Sequence, residues 1–176
     1  MSDLPLPQLL IWEWFTMMQG FTHIDGKGNA RMVDVSAKPD TKRIAIAQGR
    51  IYLNAKTMEL LENQALPKGD VLSCARIAGI MATKQTANLI PLCHPLFLSH
   101  VALDIVTLKD ECAIEVRCTT ETLGKTGVEM EALTGVTVAL LTIYDMCKAF
   151  DRGMRLEGIG LQMKDGGASG YYTARV

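Results

Sequence analysis

The sequence predicts an α+β fold, an antiparallel sheet with helices packed on one face. Three observations carry this expectation. The alternating stretches "FLSHVALDIVTL" and "CAIEVRC" are separated by the short break "KDE", which is a hairpin signal. From Glu129 to Phe150 the period changes, and Leu133, Val136, Leu140, Ile143 and Cys147 recur at spacings of three and four as one apolar seam. Extended stretches, "KRIAIAQGRIYLN" and "MRLEGIGLQM", stand on either side of this region.

Residues 1–20, "MSDLPLPQLLIWEWFTMMQG", read as an N-terminal extension, and residues 21–176 as a single domain. The apolar run from Leu9 to Met18 is interrupted by Glu13 and is too short to span a bilayer. No lysine or arginine precedes it, as the basic region of a signal peptide would require. Two readings stand: a short amphipathic helix that docks on the domain or a neighbour, or a stretch ahead of a true start at Met17 or Met18.

After the turn-rich "IDGKGNA", "RMVDVS" alternates as a short strand, and residues 42–54 read as extended chain. "AKTMELLENQAL" is a short helix. Pro67-Lys68-Gly69 breaks the chain, and Asp70 then caps a helix from Val71 to about Leu89. Ala75, Ala78, Gly79 and Ala82 make that helix fit for close packing. Prolines 91 and 95 exclude a helix interior across "IPLCHPL". In the hairpin, Val101, Leu103 and Ile105 share one face, as do Cys112, Ile114, Val116 and Cys118. A last strand and the glycine-rich loop "KDGGASG" close the chain. Strand, helices, strand, strand, helix, strand is the split βαβ order of ferredoxin-like folds. That fold hosts many unrelated functions.

At 176 residues the chain is long enough for one sizeable core. Its 18 basic and 19 acidic residues leave a formal charge of −1, which excludes a general nucleic-acid binder but leaves room for a local basic pocket. Five cysteines without a CxxC pair fit neither a secreted disulfide framework nor a zinc ribbon, so reduced thiols and a cytoplasmic setting are expected.

The stretch "LGKTGVEMEALTG" holds Glu129 and Glu131 at the start of the long helix. Acids are favoured there by the helix dipole, and they could equally be acid/base groups aimed at a substrate. Opposite the apolar seam lies a second stripe of Thr134, Val138, Leu141, Asp145 and Lys148. A helix apolar on two sides is covered twice, and for a small domain the simplest second cover is another subunit. Asp145 and Lys148 read either as a weak surface pair or as a partly buried acid whose proton affinity its neighbour tunes. Glu131 and Lys148 are 17 positions apart, about 25 Å along a straight helix. If both serve one pocket, they come from different subunits.

Lys68 in "PKGD", Lys125 in "GKTG", Lys148 in "DMCK" and Lys164 in "MKDGG" sit at glycine-rich breaks or beside the acid. Glycine admits an anion close to backbone N–H groups and lysine adds a point charge, a combination suited to phosphate. No P-loop is present. His94 beside Cys93 is a backbone-bonded loop histidine, a metal ligand, or a neutral imidazole that holds a substrate or shuttles a proton. Metal ligation is the weaker functional option, because no second His or Cys stands at ligand spacing. His23 and His100 carry no motif.

"MVDVSAK", "KGDVLSCARIAGI", "IPLCHPL", "GKTGVEMEALT" and "LTIYDMCKA" occur together and in this order. From about Phe21 to the C-terminus the chain closely resembles the molybdenum cofactor biosynthesis protein C family, the cyclic pyranopterin monophosphate synthases. The resemblance implies a ferredoxin-like subunit in a homohexamer, a trimer of dimers, with active sites at subunit interfaces. It implies conversion of the cyclised GTP derivative 3′,8-cyclo-7,8-dihydroguanosine triphosphate to cyclic pyranopterin monophosphate and diphosphate. It implies no redox cofactor; no metal among the site residues is expected, and neither nucleic acid nor membrane is an expected partner.

By motif, the resemblance makes Asp145, Lys148 and Lys68 catalytic. It gives substrate binding to Leu92, Cys93 and His94, to Met130 and Glu131, and to Lys164, with Glu129 in the same strip. Lys125 and Arg43 join as expected substrate contacts through their charge. The extension and Asp165, an acid beside Lys164, depart from the family pattern without removing a motif residue. Two rivals remain: a metal-dependent phosphohydrolase built from His94, Glu129, Glu131 and Asp145, and an oligomeric ligand-sensing module.

Overall fold

Strand β1, Thr41–Tyr52, organises the sheet. Arg43, Ala45, Ala47, Gly49 and Ile51 alternate onto one face and are buried, while the residues between them stay partly exposed. β1 pairs along its whole length with β3, Ala113–Gly124, and on its other edge with β4, Arg155–Asp165. β2, His100–Leu108, pairs with β3, and the two-residue β5, Tyr172–Thr173, pairs with β4. The order is β2-β3-β1-β4-β5 and every pairing is antiparallel. The first four strands make the expected ferredoxin-like sheet; β5 is too short for any alternation to announce it.

This computed structural model describes residues 23–25 and 27–174 and divides into two units, Met1–Val35 and Ser36–Val176. In the first, Asp25 shapes a turn by accepting hydrogen bonds from the amides of Lys27 and Asn29, at 2.9 and 2.8 Å, and an isolated bridge joins Ile24 to Ala30. The second unit holds the sheet and the helices α1, Ala55–Glu62; α2, Val71–Thr83; α3, Thr86–Leu89; and α4, Glu129–Cys147.

Two helices start at side-chain caps. Asn54 accepts from the amide of Thr57 at 2.8 Å, and Asp70 from that of Ser73 at 3.0 Å. α2 and α4 pack against each other and against the buried face of the sheet. Their backbones approach at two glycines. A Cβ on Gly135 would lie 2.8 Å from both Cys118 Sγ and Thr83 Cγ2, and one on Gly79 would lie 2.9 Å from the Gly135 carbonyl. Thr83 thus lies at Gly135 while Gly79 reaches toward Ala139, so the helices run antiparallel. The expected seam is in place: Val136, Leu140, Ile143 and Cys147 are fully buried and Leu133 partly so. α4 is long and apolar enough to cross a membrane by composition, but half of its residues are buried inside this fold.

The structure departs from expectation in several places. Residues 31–36 form no strand, and Met32 stands 48% exposed. Alternation is a local signal, whereas a strand exists only where a neighbouring backbone completes its ladder. The helix expected from Val71 to about Leu89 ends at Thr83 and resumes as α3. The hydroxyls of Thr83 and Thr86 donate to the carbonyls of Ile80 and Thr83, and the amides of Lys84 and Gln85 bond only three residues back. Such side-chain competition tightens and interrupts a helix. On the second stripe of α4, Thr134 and Val138 are half-buried, while Leu141 is 51% exposed. The extension expected over residues 1–20 lies outside the described residues.

The two-glycine contact sets a prediction. Gly135→Val forces side chain into a packed contact and should destabilise the fold by about 1–3 kcal/mol, read by urea denaturation. Ala78→Val, at a half-exposed position of α2, should change it by less than about 1 kcal/mol.

Candidate active site

Helix α4 carries ionisable groups at both ends. At its C-terminal end, Lys68 arrives from the break before α2. Its Nζ donates to the Asp145 main-chain carbonyl at 2.8 Å and meets Asp145 Oδ2 at 3.0 Å. The carbonyl is one of those that a helix end leaves without an intrahelical partner. Lys148 Nζ meets Asp145 Oδ1 at 2.7 Å. Hydrogen bonding to Lys148, then to Lys68, holds the Asp145 carboxyl below its ordinary range, and the same pair raises Lys148. Contrary to expectation, Asp145 is exposed, so its shift comes from its cations and not from burial.

At the N-terminal end the chemistry is reversed. Val128 offers the helix no side-chain cap, and its carbonyl is held by the Thr120 hydroxyl at 3.0 Å. Glu131 is 4% exposed. Burial pushes its carboxyl up to about 7, with the charge of Glu129 adding to the rise and a hydrogen bond from its own backbone N–H opposing it. Cys93 lies close enough to feel that carboxylate; burial first, then Glu131, raises its thiol. Glu129 pairs with Lys164 at 3.0 Å, and Lys164 also donates to Ser169 Oγ at 2.9 Å. A Cβ on Gly127 would overlap the Glu129 carboxylate, so a side chain there would make that carboxylate move.

Arg43 organises the floor beside this cluster. It is 9% exposed, and its guanidinium donates to the carbonyls of Gly124 and Lys125, each at 3.3 Å. Gly166 and Gly167 have φ of +102° and +76°, and a Cβ on Gly167 would overlap the guanidinium. One buried cation therefore holds both the loop that enters α4 and the glycine loop after β4. Lys125 Nζ donates to the Ser36 carbonyl at 2.5 Å.

The structure thus gathers the sequence candidates into two groups. Lys68, Asp145 and Lys148 form one; Cys93, Glu129, Glu131 and Lys164 form the other, with Arg43 beneath the loops that lead into it. Leu92 and His94 are half-buried in the Cys93 loop, and Met130 is 37% exposed. The metal set of His94, Glu129, Glu131 and Asp145 is not assembled within one chain. Asp145 stands about 21 Å along α4 from Glu131, and no metal-holding group of three or more His, Cys, Asp or Glu occurs among the described residues. Sequence reasoning passed over Ser169, Gly127 and Gly167; the glycine spacing in "GKTG" and "KDGGASG" was the available signal.

Fold and site together define a ferredoxin-like α+β domain with clusters of ionisable groups at opposite ends of its longest helix. The MoaC family profile matches residues 32–167. Proteins named cyclic pyranopterin monophosphate synthase are similar over most of their length. That of Natranaerobius thermophilus is 51% identical over 154 residues, 88% of this chain and 97% of the relative. That of Thermomicrobium roseum is 54% identical over 153 residues, 87% and 92% of the two chains. That of Roseiflexus sp. is 55% identical over 156 residues, 89% and 99%. The chain belongs to the MoaC family.

Glu131 makes a stability prediction with a definite sign. Its folded-state pKa of about 7 lies above the ordinary 4.5, so the native state binds more protons between those values. Stability falls as pH rises through that window and stays lowered above it. Glu131→Gln should flatten the window, gaining about 1–3 kcal/mol over the parent at pH 8 relative to pH 4. Thermal unfolding across that range reads it.

Proposed function

We propose that this chain catalyses the cyclic pyranopterin monophosphate synthase reaction, at a site built from the two clusters of different subunits. The substrate is 3′,8-cyclo-7,8-dihydroguanosine 5′-triphosphate, and the products are cyclic pyranopterin monophosphate and diphosphate in molybdenum cofactor synthesis. The observation that carries the shared site is the separation of the clusters on one continuous helix. Nineteen residues from Glu129 to Cys147 make a rod about 28 Å long, beyond the reach of one small substrate. The working assembly in this reading is a homohexamer, a trimer of dimers, in the cytoplasm. Five cysteines without a disulfide suit a reducing compartment. The catalytic domain spans residues 21–176 behind an extension at 1–20.

The chemistry follows from the charges. A triphosphate that becomes a cyclic monophosphate must form one P–O bond to a sugar-derived hydroxyl as the bond to diphosphate breaks. The hydroxyl gives up a proton and the departing diphosphate gains negative charge. Lys164, Lys125 and Arg43 supply positive charge at one half-site, and Lys68 and Lys148 at the other. Asp145, kept ionised between its two lysines, is a base, and those lysines are the acids beside it. They move protons as the purine-derived ring opens and recloses. Glu131, with a carboxyl near neutrality, exchanges a proton readily at working pH and, with His94, holds the base or sugar edge. Leu92, Cys93, Met130 and Glu129 complete the wall.

Asp145→Asn and Lys68→Ala should each lower turnover of the cyclised substrate at least about 100-fold, measured by product and diphosphate release. Near-normal turnover removes that residue from the mechanism. Subunit mixing tests the shared site. Asp145→Asn and Glu131→Gln chains, each inactive alone, should recover up to about a quarter of parental activity after reassembly, because half of randomly formed dimers are mixed and each has one intact site. Absence of recovery, with subunit exchange verified by a mass tag, would place both clusters' work within one chain.

A further inference from the structure

The inward face of β3 changes character along its length. Ile114, Val116 and Cys118 are fully buried apolar side chains. The next two inward positions, Thr120 and Thr122, are 0% and 2% exposed. Threonine and valine share one branched shape, so what threonine adds at a buried position is a hydroxyl that needs a partner. Both hydroxyls find theirs in a loop. Thr120 Oγ1 donates to the Val128 carbonyl at 3.0 Å, and Thr122 Oγ1 to the Phe97 carbonyl at 2.6 Å. Arg43, the ladder partner of Thr122 on β1, treats the Gly124 and Lys125 carbonyls in the same way.

The two carbonyls belong to the segments that border the N-terminal cluster. Val128 directly precedes Glu129, Met130 and Glu131, and its carbonyl also receives the first helical bond of α4, from the amide of Ala132 at 3.1 Å. Phe97 follows His94 by three residues, and Pro95 between them stiffens the connection. The amide and hydroxyl of Ser99 both donate to the Glu121 carbonyl, at 2.9 and 3.0 Å, so this loop is bound to β3 at two successive residues. Cys93 lies close enough to Glu131 for the carboxylate to act on its thiol, which puts the loop beside the helix start. β3 is itself held on both edges, by β1 and β2, and two positions along it span about 7 Å. One rigid strand thus sets both walls.

We propose that Thr120 and Thr122 are positioning residues: their hydroxyls hold the first turn of α4 and the Cys93–His94 loop at the separation at which Glu131 and His94 grip one substrate. The inference rests on the substrate-binding reading above and adds what fixes its geometry. Each threonine acts through a main-chain carbonyl and not on the substrate. Groups carried on two segments lose their common aim when either drifts, and small misplacements are costly to rate.

Thr120→Val and Thr122→Val keep the shape and delete the hydroxyl, whereas the serine variants keep the hydroxyl and delete a methyl. The full-length chains are assayed well below each unfolding transition, so that all are folded. Each valine variant should lower kcat/KM for the cyclised substrate at least about tenfold, and each serine variant should stay within about threefold of the parent. Thr119→Val, on the opposite face of the same strand, should match the parent. A second readout does not use turnover. Alkylation of Cys93 by iodoacetamide, told from the exposed Cys74 by peptide mass spectrometry, should run at least about threefold faster in Thr122→Val and at the parental rate in Thr122→Ser. Parental kcat/KM in the valine variants, serine variants no better than valine, or an unchanged Cys93 rate in Thr122→Val overturns the positioning role. A parent chain that releases no product overturns the substrate-binding reading and this role with it, whereas a working parent with unaffected valine variants overturns the role alone.

Discussion

The close backbone contact between Gly79 and Gly135 is the constraint on which the rest of this structure depends. Two glycines let α2 and α4 approach until backbone meets side chain, with Cys118 and Thr83 filling the space a Cβ would take. α4 is then held between its partner helix and the sheet, with Val136, Leu140 and Ile143 buried on the strands. A helix gripped along its length behaves as a rod. Its ends keep their distance, and whatever chemistry they carry is presented in two places.

Those ends treat a carboxylate in opposite ways. Asp145 lies in water between two lysines and is stabilised as an anion. Glu131 is withdrawn from water beside the charge of Glu129 and is stabilised as the neutral acid. Fourteen positions of one helix thus separate two acids whose proton affinities are driven apart by environment, the arrangement in which acid and base roles divide. Arg43 serves a third purpose. Buried under two glycines, it ties the entry of α4 to the loop after β4, so the walls around Glu129 and Lys164 share one support.

Much of this was legible in particular residues. The alternation of β1 and of the β2–β3 hairpin, the Asp70 cap and the seam of α4 are local patterns, and each appears where the residues put it. Other patterns were equally local but incomplete. "RMVDVS" alternates but forms no strand, since alternation supplies one face and not the neighbouring backbone. The run from Val71 to Leu89 is apolar enough for one helix, yet the hydroxyls of Thr83 and Thr86 turn to backbone carbonyls and divide it. The second stripe of α4 is graded along its length, half-buried at Thr134 and Val138 and open at Leu141 and Asp145.

By itself the sequence determined the order of elements, the motif set that marks the family, and the long spacing between Glu131 and Lys148. These depend on near neighbours in the chain or on simple helix geometry. Only the tertiary structure decided that Lys68, distant in sequence, closes on Asp145; that Lys164 comes to Glu129; and that Glu131 is buried while Asp145 is not. Charge pairing and desolvation act through space, between groups that folding brings together, and a carboxylate's proton affinity is a property of that surrounding space.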